Sequence, residues 1–219
     1  MSRRQVLAIA GAAGLILVVG ASAAAFLLLG GPATPKDALG PPSFVEETGT
    51  SGVDHTYASG DTDTIGGGVA VLDCDNNGLP DLHVAGGANP AALYRNQSEV
   101  GGGLSFSPVE AGPIAVPGVM GAYPLDIDGD GHVDLAVLRM GGVDLLQGLG
   151  DCRFERANER WSFSAPPSWA TAFSATWEGT AALPTLAVGS YVGVDASGNA
   201  TYTCPDNELF RPDPSGTGY

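Results

Sequence analysis

The most informative stretch of this chain is acidic and reads Asp73-Cys74-Asp75-Asn76-Asn77-Gly78-Leu79-Pro80-Asp81. A second copy reads Asp126-Ile127-Asp128-Gly129-Asp130-Gly131-His132-Val133-Asp134. Both copies fit Asp-x-Asp-x-(Asp/Asn)-Gly-x-x-Asp, and their first and last aspartates are each 53 residues apart. A constant spacing of this kind indicates a repeated structural unit. We call the first copy loop one and the second copy loop two.

The oxygen-bearing side chains of both loops are spaced as in a loop that coils around a hard cation. Calcium takes about 6–8 oxygen ligands, and the glycine at loop position 6 permits a sharp turn. The predicted ligands are the side chains at positions 1, 3, 5 and 9 and the backbone carbonyl at position 7. They are Asp73, Asp75, Asn77, Leu79 and Asp81 in loop one, and Asp126, Asp128, Asp130, His132 and Asp134 in loop two. We therefore expect two structural Ca²⁺ sites.

An EF-hand and an acidic turn without a metal are the two alternatives to a calcium site in a β-sheet. An EF-hand needs a bidentate glutamate at position 12, where this chain has Val84 and Val137. Short apolar runs follow position 9 in both copies, and such runs are typical of strands. Acidic turns without a metal are the second alternative, because Asp, Asn and Gly favour turns by themselves. Two copies in register favour the cation.

The repeat extends beyond the loops into the flanking segments. Leu93 and Leu146 are also 53 residues apart, which aligns the segments that follow the two loops. A third, eroded unit contains Leu183-Pro184-Thr185-Leu186, and Leu209-Phe210-Arg211 echoes the earlier Leu93-Tyr94-Arg95. This unit retains Glu178 but has lost the other carboxylates, so we expect no tight cation there.

These motifs resemble the FG-GAP or VCBS repeats of integrin-alpha-type β-propellers, in particular those of bacterial proteins similar to cartilage acidic protein. The resemblance covers roughly residues 44–211, although Pro124 in the first strand of the second unit departs from it. It implies an all-β fold, a partial β-propeller of about three blades, with units near 66–110, 119–165 and 170–211 of a repeat region at 44–219. Propellers typically have about 4–8 blades, so we expect the array to be incomplete.

The first 31 residues differ from the rest in composition. Arg3 and Arg4 precede an apolar stretch, which predicts an export segment. A cleaved signal peptide and an uncleaved signal-anchor helix both fit, since the apolar stretch is long enough to span a bilayer. The arginines also resemble a twin-arginine signal. Residues 32–43 are proline-rich and predict a linker. We therefore expect an exported protein, membrane-anchored through this helix or secreted.

Composition and motifs together narrow the function. The chain has 24 acidic and nine basic residues and a net charge of −15, which argues against nucleic acid as a partner. The three histidines form no catalytic constellation with a nucleophile, so we expect no enzyme. The favoured function is a calcium-stabilised module that binds a protein or glycan outside the cytoplasm. The alternatives are a non-catalytic part of a larger propeller enzyme and a passive envelope protein.

Three cysteines complete the set of informative residues. Cys152 and Cys204 occupy similar places in adjacent units, so a disulfide between them is one possibility that an oxidising compartment allows. Cys74 stands at position 2 of loop one, where we expect its side chain to point away from the cation and to serve as a small buried residue.

Overall fold

A computed structural model describes residues 41–59, 66–110, 112–195 and 197–219. The chain divides into two units, Met1–Glu46 and Glu47–Tyr219. In the first unit the described residues 41–46 are exposed and form neither helix nor strand. The predicted export segment at 1–31 and most of the predicted linker lie outside the described residues. Within the described ranges, no helix has the length and apolar character needed to cross a membrane.

The regular secondary structure of the second unit consists almost wholly of strands. One four-residue helix, α1 (Thr48–Ser51), precedes them. The strands are β1 (Val69–Leu72), β2 (Asp81–Val84), β3 (Ala92–Asn96), β4 (Phe106–Pro108), β5 (Val119–Leu125), β6 (Asp134–Arg139), β7 (Gly142–Gly148), β8 (Phe154–Arg156), β9 (Ser168–Thr176), β10 (Thr185–Gly193) and β11 (Glu208–Phe210).

These strands form three antiparallel sheets that follow one another along the chain. Sheet one has the order β1-β2-β3-β4, sheet two has the order β5-β6-β7-β8, and sheet three has the order β11-β10-β9. Every pair of neighbouring strands is antiparallel. The predicted all-β class is therefore confirmed. Pro124 lies in β5, an edge strand of sheet two, where a residue without an N–H is tolerated.

Sheet two has apolar cores on both sides, and β6 shows why. All residues of β6 from Asp134 to Leu138 are buried, which is the pattern of a strand covered on both faces. Successive side chains alternate between faces. Leu135 and Val137 accordingly pack into a core shared with sheet one, whereas Ala136 and Leu138 pack into a core shared with sheet three.

The sheets are also linked by a backbone contact that recurs. The N–H of Gly118, just before β5, donates to the carbonyl of Gly87, which follows β2 (2.6 Å). The N–H of Gly141, which follows β6, donates to the carbonyl of Ser168 at the start of β9 (2.9 Å). In both cases the chain leaving the second strand of one sheet meets the first strand of the next, so the repeat extends to the way the sheets are joined.

The cysteine pairing differs from the one considered from the sequence. Cys74 of loop one forms a disulfide with Cys152 in the turn between β7 and β8, and Cys204 is free and exposed. A pairing of Cys152 with Cys204 is thus wrong. The reason is the packing of sheet one on sheet two, which brings the N–H of Cys152 to the carbonyl of Cys74 (3.0 Å). Both bonded cysteines are buried in the first core, as predicted for Cys74.

Candidate metal centre

Loop one is folded by hydrogen bonds from its own backbone to its side chains. Asp73 accepts the N–H groups of Asn77 (3.0 Å) and Gly78 (2.9 Å) through its two carboxylate oxygens. The N–H of Asn77 also lies 3.2 Å from Oδ1 of Asp75, and the N–H of Leu79 donates to Oδ1 of Asn77 (2.7 Å). These bonds turn the oxygen-bearing side chains of positions 1, 3 and 5 toward the inside of the coil.

Loop two has a similar arrangement, except that Oδ1 of its first aspartate accepts the N–H of position 4 and not that of position 5. Asp126 accepts the N–H groups of Gly129 (2.8 Å) and Gly131 (3.0 Å). The N–H of Asp130 approaches Oδ1 of Asp128 (3.3 Å), and the N–H of His132 donates to Oδ1 of Asp130 (2.8 Å). The nine-residue pattern therefore produces a similar local structure twice, in different surroundings.

Two positions in each loop have left-handed backbone, which explains their residue types. Gly78 and Gly131 at position 6 have φ values of 83° and 85°, as the sharp turn requires. Position 4 is left-handed as well, with Asn76 at 58° and Gly129 at 73°. Asn is among the few residues other than Gly that tolerate this conformation. The loops thus satisfy one backbone requirement with different residues.

The aspartates at position 9 lie beneath the loops and are fully buried. Asp81 accepts the N–H groups of Cys74 (2.8 Å) and Asn96 (2.8 Å), and Asp134 accepts those of Ile127 (2.7 Å) and Gly148 (2.7 Å). Each therefore ties position 2 of its loop to the end of the third strand of its sheet. Cys74 Sγ lies 2.9 Å from Oδ2 of Asp81, but a disulfide sulfur carries no proton and makes no hydrogen bond there.

Burial is the main influence on the charge of these carboxyls. It raises the pKa of Asp81, against the hydrogen bonds from Asn96 and Cys74, and it raises the pKa of Asp134 to about 6. The pKa of Asp128 is also raised, by burial first and then by the negative charge of Asp130. Each loop thus concentrates negative charge at a cost that a bound cation would offset.

The donor set fits a hard cation. Carboxylate oxygens of Asp126, Asp128 and Asp130 all lie within 4.8 Å of one another, as do those of Asp73, Asp75 and Asp81. Oxygen donors in this number suit calcium. Asp134 is not part of the loop-two cluster, although it accepts backbone N–H groups through both oxygens just as Asp81 does. Side-chain ligation by Asp134 and carbonyl ligation by Leu79 and His132 stay predictions.

Two side chains outside the nine-residue pattern also reach the loops. Arg95 of β3 lies with Nε 3.3 Å from Oδ2 of Asp75, and its Nη2 donates to Oδ1 of Asp151 (2.7 Å). Gln147 of β7 donates through Nε2 to Oδ2 of Asp128 (2.7 Å). Oδ2 of position 3 is therefore contacted from the third strand in both units. The recurrence of Leu-x-Arg after the first and third units was the available signal for these residues.

The third unit replaces the acidic loop with an ion pair. Thr185, where the other units have Asp81 and Asp134, donates to Oε1 of Glu178 (2.6 Å), and Arg211 approaches the same oxygen (3.1 Å). These two contacts, that of Thr185 first, hold the pKa of Glu178 below its usual value. Pro212 follows Arg211 and has no N–H to donate. No cluster of three metal-binding groups is found in the described part of this unit.

His132 belongs to loop two, whereas His55 and His83 lie outside the carboxylate clusters. His55 contacts the carbonyl of Ala85 (3.2 Å). His83 is fully buried in β2, and burial lowers its pKa to about 4, so it is neutral at ordinary pH. Neither ring nitrogen of His83 has a hydrogen-bond partner among the described residues.

Comparison with known families agrees with this geometry. Residues 73–137 match the model of the FG-GAP-like repeat. The chain carries an FG-GAP-like repeat. The matched segment begins at the first aspartate of loop one and ends within β6, so the FG-GAP-like repeat takes in both loops and the strands between them. No curated protein gives a significant match.

Proposed function

We propose that this chain is a calcium-binding repeat module of the β-propeller type, exported from the cytoplasm, which binds a protein or glycan partner and has no catalytic activity of its own. The observation that carries the proposal is the pair of acidic loops within the FG-GAP-like repeat, each with three carboxylates within 4.8 Å of one another. Like charges at this separation repel strongly. Calcium suits such a group, because it takes about 6–8 ligands and all of them are oxygen atoms.

The role of calcium in this proposal is structural. The oxygen-bearing side chains at positions 1, 3 and 5 follow the first strands of sheets one and two, where they already accept N–H groups of the loop backbone. A cation at each loop would fix the β1–β2 and β5–β6 connections. The exposed parts of these connections would then form a rigid surface for a partner, and loops on a rigid scaffold are where binding residues concentrate.

Two further observations support the location and partner class. The Cys74–Cys152 disulfide suits an oxidising compartment, because disulfides are rare in the cytosol. The net charge of −15 disfavours nucleic acid. Anchoring through the apolar N-terminal segment remains part of the proposal, and secretion after its cleavage is the alternative.

A thermal melt of the full chain with calcium, and again with chelator, tests the cation. A ligand at about a hundred times its dissociation constant adds about 2.7 kcal/mol per site. We expect a clear upward shift of the melting temperature, reduced by Asp126→Asn. Asp195→Asn is the matched control, because Asp195 accepts the N–H groups of Ser197 and Asn199 in an acidic turn outside the clusters. Equal melts with and without calcium would remove the cation from the proposal.

The binding role needs a separate test. The calcium-loaded chain would be screened against a glycan array and a panel of extracellular proteins, with the chelated chain in parallel. We expect at least one ligand whose binding requires calcium. A calcium-stabilised chain that binds none of them would favour the passive envelope protein.

A further inference from the structure

The strand registers place three residues of the three units at one structural position. Leu82 pairs with Tyr94, Leu135 with Leu146, and Leu186 with Phe210. Each first partner directly follows position 9 or its equivalent. The residues after the second partners are therefore equivalent, and they are Arg95, Gln147 and Arg211. This alignment has an offset of 52 between Tyr94 and Leu146, so the spacing of 53 does not hold in the third strands.

The equivalent position reaches the loop acid in every unit. Arg95 pairs with Asp75 (3.3 Å), and Arg211 pairs with Glu178 (3.1 Å). Gln147 reaches Asp128 at the shorter distance of 2.7 Å, but its amide carries no charge. Two of the three units thus supply a positive charge to their own loop acid from the third strand. Sheet two supplies a neutral group to the loop that has the most carboxylates.

Gln147 has a further property that points to a ligand. The residue is 4 % exposed, and its Oε1 is buried without a hydrogen bond from any described residue. A buried amide oxygen without a partner destabilises the fold, because it has lost its hydrogen bonds to water. It belongs to an amide group that already contacts Asp128, and amide oxygens are ordinary ligands of calcium. A cation in loop two would give this oxygen a partner.

We propose that this position of the third strand decides how each unit neutralises its loop: Arg95 is a built-in counter-ion of loop one, and Gln147 is an additional ligand of loop two. Loop two therefore takes calcium at a much lower concentration than loop one. The inference rests on the proposed calcium function and makes its two sites unequal.

The charges agree with this assignment. Loop one contributes Asp73, Asp75 and Asp81, and Arg95 offsets one of these charges. Loop two contributes four aspartates, and the neutral amide of Gln147 offsets none of their charges. Arg160 acts on Asp128 only weakly, and its contact is with Glu155 (3.8 Å). Ligand charge is one of the properties that sets calcium affinity, so loop two is the stronger site.

Calorimetric titration of the full chain with calcium chloride tests this inequality. We expect one tight and one weak site that differ by about tenfold or more. Asp126→Asn removes the tight site, whereas Asp73→Asn leaves it intact. Arg95→Gln makes the weak site several-fold tighter. Arg211→Gln is the matched control, because it removes the same charge from a unit without a carboxylate cluster, and it leaves both sites unchanged.

The converse exchange is made at Gln147. Gln147→Arg abolishes the tight site. Gln147→Glu lowers the melting temperature in chelator, since it sets a second carboxylate against Asp128, yet it tightens calcium binding at loop two. If Gln147 had only a packing role, the substitution would lower the melting temperature in chelator and leave the calcium affinity of loop two unchanged. Gln147→Glu therefore decides the question even where Gln147→Arg does not fold.

The outcomes separate this inference from the function on which it rests. Two sites of equal affinity, indifferent to Arg95→Gln and to Gln147→Glu, overturn the inequality and leave calcium binding standing. A tight site lost on Asp73→Asn and kept on Asp126→Asn also overturns it. No calcium binding in the unmodified chain removes the proposed function and the inference together.

Discussion

Loop one and loop two have similar local hydrogen bonds but are held to the rest of the molecule by different means. Loop one is tied beyond its own unit by the Cys74–Cys152 disulfide, by the hydrogen bond between the same two residues and by Arg95, which contacts both Asp75 and Asp151. At loop two the corresponding residues are Ile127, which is buried in the apolar core, and Gln147. The repeated motif therefore reproduces the backbone conformation of the loop. The residues that surround each loop determine how its charge is offset and how it is attached to the rest of the molecule.

Removal of the disulfide should have the largest effect, because it takes from loop one a covalent bond that loop two does not have. The disulfide closes a separation of 78 residues, for which the chain-entropy model gives about 4 kcal/mol of stability. We expect the double variant Cys74→Ala with Cys152→Ala to lose about this much in denaturant unfolding.

The control for this experiment is Cys204→Ser, because Cys204 is free and exposed. Its unfolding curve should coincide with that of the unmodified chain, and reductant should destabilise both to a similar degree. An unmodified chain whose stability is indifferent to reductant would show that the disulfide contributes nothing.

Acid should distinguish sheet one from sheet two through His83, whose counterpart in β6 is Ala136. Both pair with an apolar residue of the third strand, Leu93 and Leu145. The pKa of His83 is lowered from 6.5 to about 4 by burial. Above pH 6.5 the ring is neutral whether the chain is folded or unfolded. Between pH 6.5 and 4 only the unfolded chain takes up the proton. The free energy of unfolding therefore decreases as the pH is lowered, by about 3 kcal/mol in total.

His83→Leu isolates this effect, since the aspartates with raised pKa values are present in both chains. The free energy of unfolding of the variant, less that of the unmodified chain, should increase steadily as the pH falls from 6.5 to 4. A difference that stays constant over this range would mean that His83 is protonated in the folded chain as readily as in the unfolded one.

The buried aspartates at position 9 should contribute equally to stability in the two units. Asparagine at Asp81 or Asp134 keeps one acceptor and leaves one buried backbone N–H without a partner. We expect each of Asp81→Asn and Asp134→Asn to cost about 2 kcal/mol in chelator, measured by urea unfolding. A loss of stability at one position only would show that Asp81 and Asp134 do not have equivalent roles under the two loops.

The smallest expected effect is at position 4, where the loops differ in residue but share left-handed backbone. Gly129→Ala should cost about 1 kcal/mol, because alanine is strained at a φ of 73°. Gly129→Asn, which gives loop two the residue of loop one, should cost less than about half of that. Equal losses in thermal unfolding would contradict the idea that asparagine at position 76 satisfies the turn.

Much of the candidate site could be predicted from the sequence because its chemistry is local. The nine-residue spacing predicted the positive φ of Gly78 and Gly131, and the apolar runs that flank the loops predicted strands. The contributions of Arg95 and Gln147 could not be aligned from spacing, because the third strands are offset by 52 residues and not by 53. Only hydrogen-bonded register shows that the two residues are equivalent.

By itself, the sequence determined the two acidic loops, the all-β class and the loss of the loop in the third unit, because each depends on residues within one turn or one strand of each other. The tertiary structure decided the partner of Cys152, the burial of both faces of β6 and the different groups that contact Asp75 and Asp128. These depend on how sheets pack and how strands align. Packing brings together residues that are far apart in the sequence, and a local sequence pattern does not show which of them will be in contact.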